Sequence, residues 1–386
     1  MNIVVNTRLL INNRLDGIGI FARESLKRIT RAHPEHRFFF LFGKQYEDEF
    51  VFADNVEPVL LPPYPRDPFT LLYWFEYLIP KKLRELQADL FVSPEPTLSL
   101  RTKVPSLCVI HDLNYEHHAN VLPFHWNRYY RGLTSRFAHR ATRIATVSDY
   151  SRDDIAALYG INTDKIDVVY NGTPENIRPI SESHSQQVRE QFSGGAQYFY
   201  FVGTQQPRKN IANLFRAFDQ FKKEDTRGIK LLMIGRKKWW DADIKQAWDG
   251  MAYQNDVIFP GRLSDAELAD IAAGSLGLVY VPFFEGFGIP ILEAFAAGVP
   301  VITADVTSMP EVAGDAALLV DPHSPGAITA GMHRIASDPE FRTSLVEKGA
   351  ERCKEFTWKR TADLLWQSME RTAGSKEEKR ENSPAG

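Results

Sequence analysis

The sequence predicts two α/β domains, each built on a parallel sheet and joined by a polar linker. Three observations carry this. Apolar runs of strand length, among them IVVN (3–6), FFFLFG (38–43), YFYFVG (198–203) and KLLMIG (230–235), alternate with stretches of helical periodicity in both halves. The composition turns polar over 173–197, TPENIRPISESHSQQVREQFSGGAQ, with little periodicity, as a domain boundary does. A length of 386 residues suits two domains of ordinary size.

In the first half, IVVN reads as a buried strand, followed by a polar loop and a helix from about Ile20 to Ala32. The string GIGIFA (17–22) matches the G-x-G-x-x-A dinucleotide pattern, but about ten residues separate it from the strand. The next strand, FFFLFG, is followed by Lys-Gln rather than an acidic ribose ligand, so a nicotinamide site is rejected. Residues 55–68 form a Pro-rich connection around PVLLP. Residues 69–86 carry apolar residues at helical spacing, with Trp74 and Tyr77 as candidates for exposure. DLFVS (89–93) and SLCVIHD (106–112) are strands, and the second ends in His111-Asp112. A histidine at the carboxyl end of a buried parallel strand is placed for a ligand, although a structural histidine fits equally. His117 and His118 are adjacent and point apart, and with His125 they lack a metal-site spacing, so no metal is assigned. Residues 123–139 read as a basic, aromatic helix: either a solvated face, or a patch for an anionic acceptor or a membrane surface. RIATVS (143–148) is a strand whose Ser148-Asp149 caps the next helix, and DVVYNG (167–172) closes the domain.

The second half opens on YFYFVG. Its turn, TQQPRKN, puts Arg208 and Lys209 just before a helix that Asn210 is expected to cap, and two cations beside a helix N-terminus suit a phosphate. KLLMIG follows, then VIFPGRLSDAELADIAAGS, a strand and a helix with Ser264 and Glu267 as a capping box. LGLVYVP, EGFGIPILEAFAAGVP and PVITAD then form one strand–turn–helix–strand unit. Later helices reach Phe356, and an amphipathic helix with Trp358, Leu364, Leu365 and Trp366 occupies 357–373. The tail 374–386 is charged and without aromatics, and is expected to be disordered.

The net charge, 46 − 49 = −3, gives no electrostatic case for nucleic acid. Cys108 and Cys353 lie far apart and show no CxxC spacing, which argues against a disulfide framework or zinc site and fits a reducing compartment. The start MNIVVN carries no secretory signal, and no apolar stretch reaches ~18 residues, so a cytoplasmic protein is expected.

The chemistry concentrates in VPFFEGFGIPILEAFAAGVP. Pro290 favours a helix start, which leaves Glu285 on the loop and Glu293 in the first turn. Both carboxylates could then face one pocket beside free backbone N–H groups. The N–H groups suit a phosphate and the carboxylates suit sugar hydroxyls, a combination that describes a nucleotide sugar. The plainer alternative is a helix that tolerates acids in its first turn, with Glu285 as a solvated charge.

EGFGIPILEAFAAGVPVI, followed by SMPEVAGDAALLVDP, resembles the donor-site segment of the family-4 retaining glycosyltransferases of GT-B fold, and the similarity runs from about Asn2 to Trp366. The resemblance implies two Rossmann-like domains facing across a cleft: 1–175 on the acceptor side, a linker at 176–197, and 198–356 on the donor side. The helix 357–373 would cross back to the first domain. It implies that His111 lines the sugar pocket, Glu285 holds the sugar's hydroxyls and Glu293 the ribose's. Gly286, Phe287, Gly288 and Ile289 would offer backbone to sugar or phosphate, and Arg208 and Lys209 would neutralise the diphosphate. Gly17 and Gly19 correspond to a glycine loop, and Pro260, Gly261 and Arg262 to the base-contacting turn. Gly203-Thr204 stands where many members have Gly-Arg, so one phosphate-binding arginine is absent. The implied reaction moves a hexosyl unit, mannose on GDP being first choice, to a glycan or lipid-linked glycan, as in bacterial polysaccharide or lipopolysaccharide synthesis. It proceeds front-face, with retention, no nucleophile and no cofactor or required metal, and peripheral membrane contact is compatible with it. The competing readings are another GT-B enzyme, an epimerase or phosphorylase, and a catalytically inactive sugar-nucleotide-binding or scaffold protein.

Overall fold

A computed structural model describes residues 1–11, 15–118 and 122–381, of which 375–381 are described in backbone alone. The chain divides into two compact units, Met1–Gly172 with Trp358–Gly386, and Thr173–Thr357.

The first unit holds seven strands: β1 (Asn2–Asn6), β2 (Arg37–Phe42), β3 (Val56–Leu60), β4 (Leu90–Ser93), β5 (Ser106–Val109), β6 (Arg143–Thr146) and β7 (Ile166–Val168). All pair in parallel, in the order β3-β2-β1-β4-β5-β6-β7. The second unit holds β8 (Tyr198–Val202), β9 (Lys230–Ile234), β10 (Val257–Ile258), β11 (Gly277–Tyr280), β12 (Val301–Ala304) and β13 (Leu318–Val320). These too are parallel, in the order β10-β9-β8-β11-β12-β13. The inner strands are apolar throughout because helices cover both faces. Each sheet reverses its strand order once, between β1 and β4 and between β8 and β11. At such a switch point the loops leave in opposite directions and open a crevice at the carboxyl ends.

Several local expectations change. The first helix runs Gly17–Ala32, starting three residues early because Asp16 caps it, its carboxylate accepting from Gly19 N at 3.0 Å. Gly17 and Gly19 therefore lie in a helical first turn rather than a glycine loop. The Pro-rich connection contains β3, an edge strand, where Pro58 costs no interior ladder bond. Residues 68–85 are helical with a π-helical turn at Trp74–Leu78. Trp74 is fully buried, its indole donating to Leu61 O at 2.7 Å, whereas Tyr77 is exposed.

The linker expected over 176–197 contains a helix, Glu182–Ser193, within the second unit. Ser181 caps it, accepting from His184 N at 3.2 Å, and Gly194 ends it in a left-handed conformation (φ 66°). Its apolar face is thin, with Val188 the deeply buried hydrophobe, so hydrophobic periodicity carries little signal there. At the other end, the last helix spans Trp358–Glu381 and continues through the tail expected to be disordered; 382–386 lie outside the described residues.

The last helix belongs to the first unit. Thr361 Oγ1 donates to Tyr170 O (2.7 Å), Ser368 Oγ donates to Asp167 (2.6 Å), and Trp366 stacks on His33 with ring centroids 3.7 Å apart. Gly172, where the chain leaves this unit, abuts Trp358, where it returns: a Cβ on Gly172 would sit 2.6 Å from the indole Cγ and against the Trp358 backbone. Gly172→Ala should therefore destabilise the first unit by roughly 1–3 kcal/mol, the usual cost of overpacking. A lowered thermal unfolding midpoint checks this, and an unchanged midpoint would show that the helix shifts without cost.

Candidate active site

The second unit's switch point gathers the chemistry. β8 runs into Gly203 (φ 139°) and Thr204, and then into a single 3₁₀ turn, Pro207–Lys209. Asn210 takes a left-handed conformation (φ 61°) and does not cap the helix Ile211–Glu224 as expected. Its amide instead donates to Val281 O (2.9 Å) and Pro322 O (2.7 Å). Phe283 N donates to Arg208 O at 3.0 Å. The Pro-Arg-Lys-Asn turn is thereby sewn to the loop after β11, which carries Glu285.

Three side chains converge on Oε1 of Glu285. Arg208 Nη1 lies at 2.7 Å and also donates to Phe284 O at 2.6 Å. Lys209 Nζ donates to Oε1 and to the hydroxyl of Tyr280, and the Tyr280 hydroxyl donates to Oε1 at 2.9 Å. The side chains of Arg208, Lys209 and Glu285 are 11–13% exposed, so the cluster is nearly buried yet reaches solvent. Burial alone would raise the Glu285 carboxyl. The charges of Arg208 and Lys209, with the hydrogen bonds from Lys209 and Tyr280, outweigh it and hold the group at about 2. Ser308 Oγ, donating to Glu285 O at 2.9 Å, fixes the loop from behind.

The following helix is Ile289–Ala296, with Pro290 at its start. Gly288 precedes it at φ 102°, a backbone conformation that a side chain would strain, so the backbone demands glycine there. Glu293 falls at the fifth helical position, one residue further along than expected and just past the first turn. Burial, with the charge of Asp265 added, raises its carboxyl to about 7. Phe287 packs against Phe356 (5.7 Å). The Gly261–Arg262 turn lies two strands from the switch point, exposed, with open space where a Gly261 Cβ would be.

His111 is in the first unit, just beyond β5. Its Nε2 lies 3.0 Å from Pro94 O and so carries the proton, and its ring meets Phe21 edge-on at 5.1 Å. Burial pushes its pKa down and favours the neutral ring. Asp112 accepts from Asn114 N (3.1 Å) and caps the short turn that follows. His117 pairs with Asp154 at 2.9 Å, and among the described residues no three His, Cys, Asp or Glu side chains are grouped to hold a metal ion.

Two features escape sequence reasoning. Tyr280 is hidden in an apolar strand. Arg8 and Glu95, at the first sheet's switch point, form a buried bidentate pair that Asn6 supplements by donating to Glu95 Oε1 at 2.6 Å. An arginine after β1 and a glutamate after β4 are visible in sequence, but their adjacency needs the strand order.

For Glu293 the folded state favours the protonated form. Its contribution to stability is complete below the ordinary carboxylate value and is lost as pH rises through about 7. Glu293→Gln should therefore gain stability relative to wild type between pH 5 and pH 8.5, by roughly 1–2 kcal/mol after allowing for partial exposure. A Tm difference that stays flat over this range would refute the shift.

Residues 183–352 match the family model described as Glycosyl transferases group 1, and residues 15–176 match Glycosyltransferase Family 4. The chain is 28% identical over 356 residues to the O-antigen chain mannosyltransferase B of Escherichia coli, covering 89% of this chain and 93% of that protein. Among solved structures, sucrose-phosphate synthase from Thermosynechococcus elongatus superposes with a TM-score of 0.75 at 17% identity, over 95% of this chain and 98% of that one. Anabaena HepE, in complex with UDP and glucose, gives 0.74 at 16% identity over 96% and 99%. With matching models over both halves and the same two-sheet architecture, the chain belongs to the group 1, family-4-type glycosyltransferases of GT-B fold.

Proposed function

We propose that this glycosyltransferase moves a hexosyl unit, mannosyl by first choice, from a nucleotide-diphosphate sugar to a hydroxyl of a glycan or lipid-linked glycan with retention of configuration, in bacterial polysaccharide or lipopolysaccharide synthesis. The carrying observation is the Arg208–Lys209–Glu285 cluster at the β8/β11 switch point. The relative named as an O-antigen mannosyltransferase supports the sugar and the pathway class. In this reading Arg208 and Lys209 take the diphosphate and stabilise the charge that develops as the glycosidic bond breaks. The backbone of Gly286, Phe287, Gly288 and Ile289, together with Gly203 and Thr204, completes the donor contacts. Glu285 receives sugar hydroxyls and Glu293 the ribose, while Gly261 and Arg262 attend the base. No nucleophile is assigned: the leaving phosphate takes the acceptor proton on the face where the bond forms. Two protein cations on the diphosphate make a divalent ion unnecessary. His111, held neutral, is assigned to the sugar.

A thermal-shift series with UDP, GDP, ADP, CMP and dTDP, with and without EDTA, tests the donor. One nucleotide, GDP expected, should raise the midpoint regardless of EDTA. Lys209→Ala should abolish that shift and lower transfer on the order of 10²–10³-fold. Full transfer by Lys209→Ala and Glu285→Ala would overturn the assignment.

Among the described residues no helix is long and apolar enough to cross a membrane. A surface contact has better support. Phe69 (83% exposed), Tyr73 and Tyr77 recur every four residues along one helical stretch, and Phe124 (80% exposed) opens a helix packed against its start. Exposed Arg66, Lys81, Arg101 and Arg128 accompany them. Aromatics with cations suit an anionic lipid face. Phe69→Ala with Phe124→Ala should reduce co-flotation with anionic vesicles several-fold and leave neutral vesicles unaffected. Equal flotation of wild type and variant would remove this surface from consideration.

A further inference from the structure

Tyr280 is a neutral group within the charged cluster. It is 1% exposed at the end of β11, and its hydroxyl both donates to Glu285 Oε1 (2.9 Å) and accepts from Lys209. The face of its ring lies 4.9 Å from Lys209 Nζ. We propose that Tyr280 is a positioning residue for the transfer reaction, keeping the Glu285 carboxylate aimed at the sugar when the donor's diphosphate recruits Arg208 and Lys209. This rests on the reading under Proposed function and assigns a part to a residue which that reading leaves out.

Charge and geometry together lead there. Among the described residues, every hydrogen bond and ion pair of the Glu285 side chain falls on Oε1: Arg208 at 2.7 Å, Lys209, and Tyr280 at 2.9 Å. Oε2 is the oxygen left to accept a ligand hydroxyl. A diphosphate with two or more negative charges competes with Glu285 for both cations. As they turn to phosphate, Glu285 loses its charged partners inside a nearly buried pocket, where a carboxylate needs donors. The phenol is uncharged and fixed by its strand, so it does not follow the phosphate. Burial, and the neighbouring Glu285 charge, raise its pKa well above the ordinary value, which keeps it a donor at working pH. Thr303 Oγ1, donating to Tyr280 O at 2.7 Å, locks the strand end that carries it.

Tyr280→Phe keeps the ring, the volume and the contact with Lys209 and removes only the hydroxyl. Expected are an unchanged Kd for the nucleoside diphosphate, within about twofold, and a kcat lowered ten- to a hundredfold. The acid limb of the kcat–pH profile should move to higher pH as Glu285 loses a donor. In a double-mutant cycle, Tyr280→Phe should add little to the loss already caused by Glu285→Gln, because it acts through that carboxylate. Unchanged kcat and pH profile, additive losses in the cycle, or a loss of nucleotide affinity as large as the loss in kcat would each overturn the role. If wild type itself binds no nucleoside diphosphate, the donor-site reading fails and this inference with it. If wild type binds and transfers normally and Tyr280→Phe matches it, only Tyr280 falls.

Discussion

A carboxylate and two cations share a nearly buried position, and neither sign would be stable there without the other. Glu285 stripped of Arg208 and Lys209 would be forced toward protonation, and the cations without Glu285 would repel one another at the mouth of a sheet. Much of the local backbone serves this arrangement. Asn210 spends its amide on two carbonyls rather than on its own helix, Ser308 braces the glutamate's carbonyl, and Gly288 takes a conformation that a side chain would strain. The result is a charge cluster whose members are held in place by backbone on every side.

The two sheets treat their switch points differently. In the first unit, Arg8 and Glu95 satisfy one another bidentately and are 8% and 2% exposed, so the pair is closed to solvent and braces the loops after β1 and β4. In the second, Arg208 and Lys209 meet on one carboxylate oxygen and the three side chains keep some solvent access. The same topological position yields a closed brace in one case and a solvent-reaching charge cluster in the other. Access to solvent separates them.

The sequence was legible where information is local. Uninterrupted apolar runs mark the inner strands of both sheets, and Pro290 after two glycines marks the start of the helix that follows Glu285. The helix Glu182–Ser193 was not legible, because Val188 gives its apolar face too little weight; Ser181 and Gly194 were its available signals. Gly17 and Gly19 read as a loop until Asp16 is recognised as a cap, which makes them the helix's first turn. Trp74 fills the core rather than the surface, a matter of tertiary packing. The meeting of Glu285 with Arg208 and Lys209 follows from strand order, as does the pairing of Arg8 with Glu95. Strand order is a non-local property that no window of residues contains. Tyr280 stayed hidden for a related reason, since nothing in GLVY distinguishes a packing tyrosine from one whose hydroxyl serves a charged cluster.

The contact between Gly172 and Trp358 has a temporal side. Thr173–Thr357 is an insert within the first unit, entered and left at neighbouring points of that unit. During synthesis the insert is complete before Trp358 leaves the ribosome, whereas the first unit still lacks the helix that brings Thr361, Trp366 and Ser368 to it. Domains usually finish in the order they are made. Here the unit begun first closes after the insert, and the nascent chain carries an unfinished apolar surface until that helix emerges.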